Sequence, residues 1–184
     1  MIDKLAVSDV LGTIGTILWC LQIVPQLIKN HRSQSTFGLS PWLLIFWATA
    51  SILQGAYFLI EWVNLPLLVQ PQIFIAFALI GVGQCLYFRD GGEQIGLKLS
   101  RSQTKILVLG TWAVSGAVEF AFFELGRLGK RRGTDAASQV FGVLGVIAIV
   151  GGLLPQYWEI YKLREVVGQF HLDPAPRYSQ LVRV

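Results

Sequence analysis

Apolar positions in this chain come in long blocks. Five runs of about 20 residues each, at roughly 10–28, 41–60, 65–88, 106–123 and 140–158, are separated by short polar breaks. A hydrocarbon core of about 30 Å needs roughly 20 helical residues to cross it, so each run is long enough to span a bilayer. Helix is the required form, because an open strand in lipid leaves its backbone N–H and C=O groups unpaired. The first run has little positive charge ahead of it, and Gln22 and Gln26 stand where a small-residue cleavage site would be needed. It reads as a retained span rather than a signal peptide.

The blocks repeat. Gly12 and Gly15 open a run that closes at Pro25-Gln26 and is followed by Gly38. Gly142 and Gly145 open another that closes at Pro155-Gln156, followed by Gly168. All five positions keep one offset of 130 residues without a gap, which marks an internal repeat. In so apolar a chain, the repeat architecture to consider is that of a small transporter.

Composition agrees with a membrane solvent. Hydrophobic residues make up 53% of the chain and charged residues 14%, too apolar for an ordinary soluble domain of 184 residues. The net charge of +4 resides in the polar breaks, where it suits orientation signals and anionic headgroups rather than nucleic acid. Ten Lys and Arg residues fall on one side: Lys29 and Arg32, four between Arg89 and Lys105, and four in the tail. Five fall on the other: Lys4, Arg127, Lys130, Arg131 and Arg132. The bias places the N-terminus outside or in a lumen and the C-terminus in the cytosol, with the Lys130 to Arg132 cluster running against it. Cys20 and Cys85 lie inside apolar runs and read as reduced packing residues. Trp42, Trp62, Trp112 and Trp158 lie toward run ends, as interfacial anchors do.

The Pro-Gln pairs carry a mechanical expectation. A proline within a helix removes a backbone donor and crowds the carbonyl four residues earlier, so Pro25 and Pro155 should each kink a span near its cytosolic end. Gln26 and Gln156 can supply an amide to the freed carbonyl or to a neighbouring helix, and Gln22 lies one turn before Gln26 on the same face. Gly12, Gly15, Gly142 and Gly145 should let neighbouring helices approach closely.

With these residues in view, the chain resembles the PQ-loop repeat membrane proteins, which include the lysosomal cystine and cationic amino acid transporters and share an architecture with the sugar-carrying SWEET proteins. The resemblance rests on Gly15, Pro25-Gln26, Gly38-Leu39-Ser40 and Trp47 in the first copy and on Gly145, Pro155-Gln156 and Gly168 in the second. The stretch from Leu67 through Gln70-Pro71-Gln72 to Gln84-Cys85 and Phe88 resembles fungal members. It implies an all-α, multi-pass bundle of parallel three-helix repeats: a first unit at 10–88, a linker helix at 104–126 and the start of a second unit at 138–168. Solute would pass between the units by alternating access, with the proline-containing helices bending. Relatives export small solutes from acidic compartments such as the vacuole or lysosome, using the proton gradient.

Two departures shape the expectation. Members that handle cationic amino acids carry an acidic residue in the second helix, where this chain has Ala50-Ser51 and then Gln54. Serine neither pairs with a cation nor carries a proton at physiological pH, which argues against a cationic substrate. The offset also projects a complete second unit to about residue 218, whereas residues 169–184, with His171 and two prolines, read as a disordered tail. The expectation is a truncated form, splice form or fragment rather than a true five-helix protein; a half-built unit could be completed by a second copy in a homo-oligomer, though the sequence does not demand it.

Glu119 lies inside the fourth run, where an ionisable group must be paired, protonated or in contact with water. It is a candidate proton carrier. The competing reading, favoured by its place in the linker, is that it reaches the interface beside Glu124 and Arg127. No enzyme constellation appears: His31 and His171 are isolated, the cysteines are far apart, and no phosphate-cradling loop is present. Neither a metal nor a cofactor is implied. The expected function is movement of a small polar solute, an amino acid or related metabolite, with Pro25, Gln26, Pro155 and Gln156 as hinges and Gln22, Ser51 and Gln54 as polar lining. The alternative is a bundle that serves as a membrane scaffold or trafficking component, or an inactive shortened form.

Overall fold

The computed structural model describes residues 4–88 and 96–163, apart from the side chains of residues 4–6, 155, 156, 159, 160, 162 and 163. All regular structure among them is helical: α1 (Lys4–Leu21), α2 (Val24–Ser33), α3 (Pro41–Glu61), α4 (Leu65–Tyr87), α5 (Arg101–Arg131) and α6 (Ala136–Leu163). Five stretches are long and apolar enough to cross a membrane, α1 and α2 counting together as one. The predicted tail at 169–184 and the end of the projected second unit lie outside the described residues.

The first run is two helices. Pro25 has no N–H to give the Leu21 carbonyl, so α1 stops there, Gln22 and Ile23 form a turn, and α2 restarts with Pro25 in its first turn, where a missing N–H costs nothing. The interruption spans two residues, with Ile23 still at right-handed helical dihedrals. At the matching place in the second copy, the α6 backbone stays helical through residue 155. Elsewhere the ends follow local chemistry. Asn64 caps α4 by accepting from the Leu67 N–H. Ser100 and Gln103 form a reciprocal capping box at the start of α5. That box begins α5 earlier than the predicted linker at 104–126, and the helix runs on to Arg131. The turn before α6 uses Gly133 at φ 76°, a backbone state that glycine adopts without strain.

Helix order in space differs from order in sequence. α4 sits between α1 and α3, α3 sits between α4 and α6, and α5 lies across both α3 and α4. Side-chain packing holds these seams, since lipid supplies little hydrophobic force between helices. Ile23, Leu27, Leu44 and Cys85 fill the seam of α2, α3 and α4. Ala48, Ile75, Ala78 and Leu79 close α3 on α4, and Ala56, Ile60 and Phe141 join α3 to α6, backed by Phe122 and Phe123 of α5. Apolar side chains such as Val10, Ile14, Leu18, Val143, Val146 and Val150 remain exposed, as lipid-facing positions of spanning helices do.

Three of the four repeat glycines stand at close approaches. A methyl on Gly12 would meet the Asn64 amide, one on Gly142 the Tyr57 ring, and one on Gly145 the Gln54 side chain. Gly15 differs from expectation, with nothing within 4 Å of where its Cβ would be. The cause is the neighbour relationship: α6 lies along α3, whereas α1 lies along α4 and turns Gly15 away from it.

Candidate functional site

Polar side chains inside the bundle converge on α4. This helix carries Gln70, Gln72 and Gln84 over about 20 Å of its length, and each glutamine meets a different helix. The Thr16 hydroxyl of α1 lies 3.2 Å from Gln70 Oε1 and 3.1 Å from the Pro66 carbonyl. Gln72 Nε2 lies 2.6 Å from both carboxylate oxygens of Glu119 on α5. Gln84 accepts from Asn30 Nδ2 of α2 at 3.1 Å and donates to the Leu27 carbonyl at 3.0 Å.

Pro71 lies within α4, beside the first two of these contacts. It removes the N–H that would bond the Leu67 carbonyl and loosens the helix there. The loosened turn is held on one side by α1, through Thr16 and through Cys20, whose Sγ faces the Gln70 carbonyl at 3.9 Å. On the other side Gln72 ties it to Glu119. A third Pro-Gln pair, outside the repeat, thus stands at the centre of the polar contacts.

Glu119 is 3% exposed and faces the bundle interior. Gly55 of α3 makes room for it: a Cβ at that position would overlap the carboxyl group. Neither ion pair of the described side chains, Arg127 with Glu124 or Lys130 with Glu61, involves it. Its polar partner is the Gln72 amide, and an amide can serve either protonation state: Nε2 donates to a carboxylate, while Oε1, with the amide turned over, accepts from a carboxylic acid. The arrangement can therefore hold or release a proton without losing its hydrogen bond.

The break between α1 and α2 leads into the second polar group. Pro25 and Gln22 are exposed and Gln26 is half-buried. Gln22 falls in the two-residue turn between α1 and α2. Gln26 Nε2 donates to Asn30 Oδ1 at 3.0 Å within α2, and Asn30, 1% exposed, passes the chain on to Gln84. Gln26 thus reaches α4 through Asn30. Asn30, Gln70, Gln72 and Gln84 were not singled out as site residues, although a polar side chain within an apolar run is itself a signal of a partner.

Ser51 is buried and donates to the Trp47 carbonyl one turn earlier, and Gln54 packs on Gly145 at the seam of α3 and α6. Trp47 lies between Phe74 of α4 and Gly152 of α6, its indole N–H buried without a partner. The side chains of Pro155 and Gln156 lie outside the described residues. Lys130, from the basic cluster that opposed the orientation bias, is held by Glu61 at 2.9 Å and by the Ile60 carbonyl. Among the described residues no group of His, Cys, Asp and Glu is arranged to hold a metal ion.

Comparison with known proteins places this geometry. The family model of the PQ loop repeat matches residues 7–67. An uncharacterized protein of Schizosaccharomyces pombe is 34% identical over 165 residues, covering 90% of this chain and 56% of that protein. An uncharacterized membrane protein of Saccharomyces cerevisiae is 30% identical over 162 residues, covering 88% of this chain and 50% of that protein. The chain spans about half the length of these relatives. No solved structure matches it significantly.

Proposed function

Because the chain belongs to the PQ-loop repeat membrane proteins, we propose that it moves a small polar solute, an amino acid or related metabolite, across an endomembrane of the vacuolar or lysosomal kind by alternating access. The observation that carries this reading is the break at Gln22–Ile23, ahead of Pro25. A spanning helix in two pieces can pivot at the break without breaking further backbone bonds, and the Gln26–Asn30–Gln84 chain gives the lower piece a defined resting place on α4. Pro155 is the corresponding hinge of the second copy, which here rests in a continuous helix. Polar groups at the α3–α6 seam, Ser51, Gln54 and the free indole N–H of Trp47, offer donors and acceptors to a solute. Glu119 carries the coupling proton. The N-terminus is lumenal and the C-terminus cytosolic, and the protein catalyses no covalent step.

The test is uptake by vesicles containing the full chain, with a panel of amino acids and related metabolites. Pro25→Ala and Pro155→Ala abolish flux while leaving abundance and location unchanged. Flux that persists in both variants refutes the hinge. A wild-type protein that moves no member of the panel, yet loses a bound partner when the connecting loops are altered, acts as a scaffold.

A further inference from the structure

A crevice of about 510 Å³ opens where the end of α2, the last turns of α4 and the first turns of α5 meet. Its volume falls within the range of ligand pockets. Its lining changes character with depth. Arg101 and Lys105, one turn apart on the same face of α5, stand at one end, with His31 of α2 nearby. Farther along α5 come Val108 and Leu109, and across from them on α4 stands Ile80. Because α4 ends where α5 begins, the cationic end lies at the membrane surface and the apolar end within the span. At about 46 Å, α5 is longer than the hydrocarbon core, so its first turn reaches headgroup level. Gly83 lets α5 come close to α4 beside the crevice: a methyl there would meet Val108 and Thr104. None of the described residues that line it is a carboxylate.

We infer that this crevice is a binding site for an anionic phospholipid. The headgroup phosphate is received by Arg101 and Lys105 at the N-terminal end of α5, whose peptide dipoles also favour negative charge. An acyl chain lies along Ile80, Val108 and Leu109. A soluble phosphorylated metabolite would meet the two cations but would leave the apolar shaft unfilled, and an uncharged lipid would fill the shaft but leave the cations unmatched. The combination selects a lipid with a charged phosphate head. Gln84, which also lines the crevice, belongs to the Gln26–Asn30–Gln84 chain of the proposed hinge, whereas Glu119 does not line it.

The test uses the full chain in phosphatidylcholine nanodiscs doped with phosphatidylserine or phosphatidylinositol 4-phosphate, followed by native mass spectrometry of the protein released with its bound lipids. The wild type retains the anionic lipid over phosphatidylcholine. Arg101→Gln with Lys105→Gln weakens retention by about 30-fold, as expected for two cations at headgroup level. Lys98→Gln, a nearby cation that does not line the crevice, leaves retention unchanged. Ile80→Trp, which fills the shaft and keeps both cations, also reduces retention and serves if the double variant does not fold. Equal loss from Lys98→Gln reduces the effect to general surface charge and overturns the site. Binding of inositol phosphate or inorganic phosphate without acyl chains, undiminished by Ile80→Trp, overturns the lipid assignment.

Discussion

Gln72 Nε2 lies 2.6 Å from each carboxylate oxygen of Glu119, joining the long helix α5 to the turn of α4 that Pro71 loosens. A hydrogen bond to a charged group is worth about 1.5–3 kcal/mol, and stranding a buried charge costs more than removing both partners. Gln72→Leu should therefore lower the melting temperature of the detergent-solubilised protein clearly, whereas Gln72→Leu with Glu119→Leu should recover most of the loss. Additive losses in the two variants would show that the bond contributes nothing.

The same bond gives the proton reading a direct assay. Glutamine at 119 keeps an amide partner for Gln72 but cannot exchange a proton. In Glu119→Gln vesicles, solute uptake should become insensitive to an imposed pH difference while the protein remains folded and correctly located. Uptake that still follows the pH gradient as in the wild type would assign the coupling proton elsewhere.

Gly15 and Gly145 are equivalent in the repeat and opposite in surroundings, one open and the other against Gln54. Gly15→Ala should be neutral or slightly stabilising, because alanine is the better helix former by about 1 kcal/mol. Gly145→Ala should destabilise by about 1–3 kcal/mol, the range for forcing extra volume into a packed seam. Thermal unfolding of the two variants side by side decides the point.

How much of this was legible beforehand varies with the range of the interaction. The five spans could be read because each is a local property of about 20 residues. Pro25 announced an interruption of the first span, but not how many helical bonds it would remove, since a missing N–H fixes the place of the interruption and not its extent. The partner of Glu119 could not be read at all: Gln72 is 47 residues away, and their meeting depends on how two helices rotate about their axes. For the same reason Gly15 and Gly145 looked alike, because a repeat preserves residues and not neighbours.

Asn30 joins two bonds, from Gln26 and to Gln84. Hydrogen bonds between helices in membranes average only about 0.6 kcal/mol each, so Asn30→Leu should cost about 1–2 kcal/mol and leave the fold intact. Its larger effect should fall on flux, because α2 loses one of its two polar ties to Gln84 of α4. Vesicle uptake measured with the melting temperature separates the two, and an unchanged rate would remove this polar chain from the transport cycle.

Cys20 and Cys85 are the chain's two thiols, and both are buried, Cys20 beside the break that divides the first span and Cys85 in the seam of α2, α3 and α4. In the resting arrangement a water-soluble maleimide finds nothing to label. Any excursion that lifts α1 or α2 from α4 uncovers a sulfur, so the rate of alkylation counts those excursions directly. The two thiols thus offer a native readout of such excursions, by mass shift without an engineered probe.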